Sequence, residues 1–86
     1  MGVHDAYLDR MASRIDAFER ELRGAGEELL EARHRRDLEA GLATLKERFQ
    51  VLRRSGAEVT EEMTQSFTQS FERLRASFGE WRKEAA

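Results

Sequence analysis

The chain contains neither cysteine nor proline. Without cysteine it has no disulfide, no thiol chemistry and no cysteine-type zinc site, which suits a reducing compartment. No apolar run approaches the roughly 20 residues needed to span a membrane. The N-terminus lacks the basic start and apolar stretch of a signal peptide. Met1-Gly2 opens like a myristoylation site, but Ala6 stands where Ser or Thr is needed. Charge of one sign is also missing: 15 basic side chains face 17 acidic ones, for a formal net charge of -2. That balance leaves no electrostatic footprint for a phosphate backbone. These absences describe a soluble, cytoplasmic protein, with nucleic acid and membrane both unexpected as partners.

What is present is helical. Hydrophobic residues make up 40% of the 86 residues and charged residues 37%, with acids and bases interleaved. That composition suits long solvated helices. The length allows one small domain over 1–86, and so short a chain rarely builds a strong core unaided. Self-association is therefore expected before any motif is read.

Three segments carry apolar residues at helical spacing. The first spans about 5–23, with Leu8, Met11, Ile15, Phe18 and Leu22 at alternating steps of three and four, a heptad seam. Asp5 is its expected N-cap. Asp16–Arg20 and Glu19–Arg23 are spaced as i,i+4 ion pairs. Arg23 followed by Gly24 signals a stop. The second segment spans about 27–54, with Leu38, Leu42, Leu45, Phe49 and Leu52 as its seam. Glu27 and Glu28 suit a helix start, and Arg53 and Arg54 before Gly56 suit an end. The third spans about 58–84, with Val59, Met63, Phe67, Phe71, Leu74, Phe78 and Trp81. Two starts compete there: a capping box from Ser55 to Glu58, and Thr60 ahead of Glu61 and Glu62.

Phase separates two architectures. On one unbroken straight helix at ~100° per residue, the Leu8–Leu22 and Leu38–Leu52 seams point roughly 160° apart. A break at Gly24–Gly26 lets both seams face one core. The expectation is all-α: an antiparallel hairpin of 27–54 and 58–84, joined by segment 5–23 into a three-helix or coiled-coil-like bundle, and oligomeric, with a homodimer favoured.

The chemistry-bearing candidates are few. Glu31-Ala32-Arg33-His34 places a carboxylate and an imidazole on one helical face, with Glu27 one turn earlier. This Glu-x-x-His resembles the local motif of ferritin-like di-iron proteins, and two copies across a dimer would imply a di-metal carboxylate site. Arg33, Arg35 and Arg36 surround it with positive charge, which opposes metal binding. A solvated face with a Glu31–Arg35 pair is the plainer reading, and no metal or cofactor is expected. The four residues Arg33–Arg36 wind around most of a helix, so they form no single basic face. Gly24-Ala25-Gly26 lacks the strand and the Lys-Ser/Thr of a phosphate loop. The serines at 55, 66, 70 and 77 have no histidine positioned to activate them. An enzyme is not expected.

The aromatic stripe remains. Phe67, Phe71, Leu74, Phe78 and Trp81 fall within about 40° of one line, Met63 sits at its edge, and the steps approach an eleven-residue period. As core, the stripe faces the Leu38–Leu52 seam. As a working surface, it would meet a helical protein partner or an apolar surface. Its flanks, Thr64-Gln65-Ser66 and Thr68-Gln69-Ser70, are neutral, unlike those of an anionic-lipid binder. Over the last third of the chain the composition resembles the amphipathic helices of apolipoproteins and bacterial granule-coating phasins, which implies binding to lipid or another apolar surface. The leading expectation is a non-enzymatic module for helical self-association or protein–protein interaction.

Overall fold

In the computed structural model, which describes residues 4–26 and 28–85, three helices follow one another: α1 (Asp5–Gly24), α2 (Ala32–Ser55) and α3 (Glu61–Ala85). A single 3₁₀ turn, Gly56–Glu58, joins α2 to α3. Across the hairpin Phe49 meets Phe67 and His34 meets Trp81, so α2 and α3 are antiparallel. Tyr7 bonds to Thr64 and Thr68 while Phe18 meets Phe71 and Phe78, so α1 runs parallel to α3. The result is an up-down-up three-helix bundle measuring 44 × 19 × 16 Å.

The seams close on one another. Leu8, Met11, Ile15, Phe18 and Leu22 of α1 are buried, as are Leu38, Leu42, Leu45, Phe49 and Leu52 of α2. Phe67, Phe71 and Phe78 of α3 join them, while Met63, Leu74 and Trp81 pack from the rim. Phe18 stands edge-on to two rings, with centroids 6.1 Å from Phe71 and 5.6 Å from Phe78. Edge-to-face pairs of this kind add roughly 0.5–1.5 kcal/mol each beyond area burial. Gly41 marks a close contact between α2 and α3. A Cβ there would lie 2.7 Å from Leu74 Cδ1, so the missing side chain seats Leu74 against the α2 backbone.

The chain does break between α1 and α2, and the break is longer than the glycines alone mark. Ala25 is extended and buried, and its N–H still bonds back to Glu21 and Leu22. The Leu29 N–H then closes a turn onto the Gly26 carbonyl, and Leu30 is fully buried. Turning Leu30 into the core requires a non-helical chain ahead of it. So α2 begins at Ala32, five residues after the expected start near 27, with no acid in its first turn. Glu27 itself lies outside the described residues.

Two other helix starts differ from expectation. The N-cap of α1 is His4, and Asp5 is the first helical residue, where its charge still complements the dipole. The Ser55–Glu58 capping box does not form. Ser55 Oγ donates backward to the Val51 carbonyl at 2.8 Å, which satisfies an end group of α2. The competing start prevails: Thr60 Oγ1 accepts the Met63 N–H at 3.2 Å, and α3 begins at Glu61.

Glycines 24 and 56 make opposite demands. Gly24 ends α1 with open space around its Cα and no positive φ. Gly56 turns the chain at φ 54°, ψ -119°, a region that side chains disfavour. Gly24→Ala is expected to stabilise the bundle by about 0.5 kcal/mol, because alanine narrows the unfolded ensemble. Gly56→Ala is expected to destabilise it by about 1 kcal/mol or more. Urea midpoints at unchanged slope read both.

Candidate interaction surface

Three grooves run along the bundle, one between each pair of helices, and they are closed differently. Across α1–α2, Lys46 Nζ donates to Glu19 Oε2 at 2.8 Å, and Glu19 also holds Arg23 at 3.7 Å. The Lys46 bond is the main reason the Glu19 carboxyl titrates below its ordinary value of 4.5. Partial desolvation opposes it, and the fields of Lys46 and Arg23 assist. Across α1–α3, Arg14 pairs with Glu72 and lies 5.0 Å from the Phe71 ring centre. Tyr7 closes the same groove nearer its end. Its single proton goes to the Thr64 carbonyl at 2.8 Å, so the Thr68 hydroxyl at 2.7 Å donates to the phenol oxygen.

The outer groove between α2 and α3 faces away from α1. Among the described residues only Arg48 Nη1 to Ser70 Oγ, at 3.0 Å, bridges it with a side-chain bond. At its turn end lies a cleft of about 430 Å³. Leu52, Met63 and Phe67 form its floor, Val51 its lip, and Arg48 and Glu62 stand at opposite corners. Val51 is 52% exposed, although it is a large β-branched apolar residue on a helix. The groove continues toward the other end over Gly41, Thr44, Leu45, Ser70, Leu74 and Ser77. Arg48 and Arg73 stand among these smaller side chains.

The sequence placed its attention elsewhere. Val51 falls outside the Leu38–Leu52 seam, Glu62 reads as a helix-start acid, and Arg48 belongs to no motif. The available signal was an apolar residue beside the seam, opposite a methionine at the stripe's edge.

The Glu31–His34 candidate sits at the far end of the bundle. Glu31 caps α2 from an extended conformation, and its carboxylate takes the Arg33 guanidinium at 2.9 Å. The expected Glu31–Arg35 pair is not made. Arg35 reaches back instead, donating to the Leu22 carbonyl at 2.8 Å and to the Ala25 carbonyl. His34 lies flat on Trp81, with ring centres 4.2 Å apart and planes within 9°. Its ring face is thus spent on the rim of the core. Among the described residues no three His, Asp or Glu side chains gather around a common point suited to a metal. Nor is any described helix long and apolar enough to cross a membrane.

No family model, curated protein or solved structure matches this chain. Function is therefore read from the surface alone.

Two outcomes follow from these contacts. Glu19 has a lowered folded-state pKa, so its stabilisation is complete above the ordinary glutamate range and is lost as pH falls through the folded value. Glu19→Gln is expected to cost under about 1 kcal/mol at neutral pH. The difference in melting temperature between the two proteins should vanish in acid, below the ordinary 4.5. At the other end, His34→Ala should strip one face of Trp81, the chain's single tryptophan, and shift its fluorescence to the red. His34→Phe should keep the emission close to that of the parent protein.

Proposed function

We propose that this protein is a non-catalytic helical interaction module that associates through the outer face of α2 and α3, in a cytoplasmic setting consistent with its lack of cysteine. The observation that carries this reading is Val51, half exposed at the lip of an apolar cleft; among the described residues the other exposed large apolar side chain is Leu29, ahead of α2. A helix laid along the groove would cover Val51 and Met63 and extend the bundle by one layer, the helix-in-groove mode of recognition.

The alternatives ask more of the molecule. Binding lipid through the aromatic stripe requires the bundle to open, because Phe67, Phe71 and Phe78 are 4% exposed or less. A di-metal site at Glu31 and His34 requires the carboxylate to leave Arg33 and the imidazole to leave Trp81.

A photo-crosslinking side chain tests the reading directly. Placed at Val51, it should give a covalent protein adduct in the native host. Placed at Arg20, on the exposed face of α1, it should give none. Adducts at both positions or at neither would sink the assignment of this face.

A further inference from the structure

The corners of the α2–α3 cleft carry opposite charges, and neither charge is in an ion pair among the described residues. Arg48 is bonded only to the Ser70 hydroxyl, and Glu62 has no side-chain hydrogen bond or ion pair. Between them the cleft is apolar. We propose that this patch is self-complementary and takes a second copy of the same chain, packed antiparallel about a twofold axis beside Val51 and Met63. The proposal rests on the interaction-module reading and names the partner.

Register along the hairpin supplies the geometry. The Arg48 guanidinium of α2 stands level with Ser70 of α3, as their hydrogen bond shows. Glu62 lies eight residues before Ser70 on α3, which is about 12 Å at the helical rise. The midpoint falls at the level of Ser66. One turn of α2 beyond Arg48, Val51 reaches that level and lines the cleft together with Met63 and Ser66. A half-turn about an axis through this midpoint exchanges the corners. Arg48 then meets Glu62 of the second copy, and Glu62 meets the second copy's Arg48. Val51, close to the axis, meets its own equivalent, and Met63, three residues or about 4.5 Å from the Ser66 level, flanks that contact. One patch thus serves both sides, as an isologous interface requires.

The arrangement follows interface anatomy. An apolar centre is ringed by charges that stay hydrated at the rim, where they set register more than they add affinity. The axial residue next to the apolar contact is Ser66, small enough for two α3 helices to approach. A partner of other chemistry would have to carry an acid and a base at the same separation around an apolar centre. A second copy has that spacing by construction. Each α1 groove, by contrast, is already bridged by an ion pair within the chain, Lys46–Glu19 and Arg14–Glu72.

Sedimentation equilibrium of the full chain at low salt, from low micromolar to near-millimolar concentration, tests this. The expected result is a monomer–dimer equilibrium. Arg48→Glu and Glu62→Arg should each weaken it by about tenfold, since each sets like charges opposite one another twice per dimer. The double variant R48E/E62R should restore it to within a few-fold. Val51→Asp should weaken it at least as much as either reversal. All three positions are exposed in the monomer, so unchanged helicity and melting should accompany these changes. If Arg48→Glu disturbs the fold through loss of Ser70, then Val51→Asp and Glu62→Arg decide alone. A monomer at every concentration overturns the proposal, as does a dimer indifferent to the single reversals or not rescued by the double one. A monomer that still crosslinks from Val51 to a different protein overturns the second copy but leaves the module reading standing. A monomer with no adduct removes both.

Discussion

One aromatic stripe has to be covered from two sides at once. Phe67, Phe71 and Phe78 lie on a single line of α3, and no single helix can bury rings of that size from all directions. Phe49 approaches from α2 and Phe18 from α1, the latter wedged edge-on between Phe71 and Phe78. Everything else in the fold serves this requirement. The α1 and α2 seams would point to opposite sides of a continuous helix, so the chain must leave helical geometry between them. It does so between Gly24 and Ala32, and side chains hold both ends of the departure. Leu30 anchors it from below. Arg35 grips the carbonyls of Leu22 and Ala25, groups that a helix terminus otherwise leaves to water. A cation at the C-terminal end of α1 also meets the negative end of its dipole.

Arginine has a second role that its solvated appearance hides. Arg14 and Arg75 both lie near the Phe71 ring, Arg82 near Phe78, Arg53 near Phe49 and Arg10 near Tyr7, at 5.0–6.0 Å from the ring centres. A three-helix bundle this thin cannot enclose its aromatics with apolar residues alone. Guanidinium groups cover the ring faces while their charge stays in water, and the aliphatic stems shield the ring edges. Lysine would do this less well, since its ammonium is more strongly hydrated and has no planar face to lay on a ring. At every ring named here the cation is arginine.

The helices themselves were legible in the sequence because their seams repeat over three turns or more, and a long periodic signal survives local exceptions. All-α class, three helical segments and the closing of the Gly24–Gly26 region as a break follow from period and phase. The start of α2 was not legible. Glu27 and Glu28 look like a helix start because acids favour that position, but burying Leu30 outweighs a dipole term of a few tenths of a kcal/mol. Ser55 fits a capping box, yet its hydroxyl is worth as much to the end of α2 as to the start of α3, and the nearer carbonyl wins. His34 is the clearest case. Its spacing from Glu31 suggests a shared ligand, whereas its real neighbour, Trp81, lies 47 positions later and is found only by knowing the hairpin register.

The surface follows from the same division of labour. Side chains on two of the three grooves are committed to holding α1 in place, because α1 is joined to the hairpin by a seven-residue crossing and needs cross-groove ties. The α2–α3 pair needs no such ties. Its turn is tight, Gly41 lets Leu74 sit close, and the aromatic contact of Phe49 with Phe67 secures the register. That groove is therefore left with a base and an acid in no ion pair among the described residues, and with an exposed valine between them. A solvated monomer gains nothing from Val51 at that place, and a polar residue would serve it as well or better. On the proposed reading, an apolar lip between a base and an acid outside any ion pair suits contact with another helix pair, and the hairpin's own register would set the spacing of that contact.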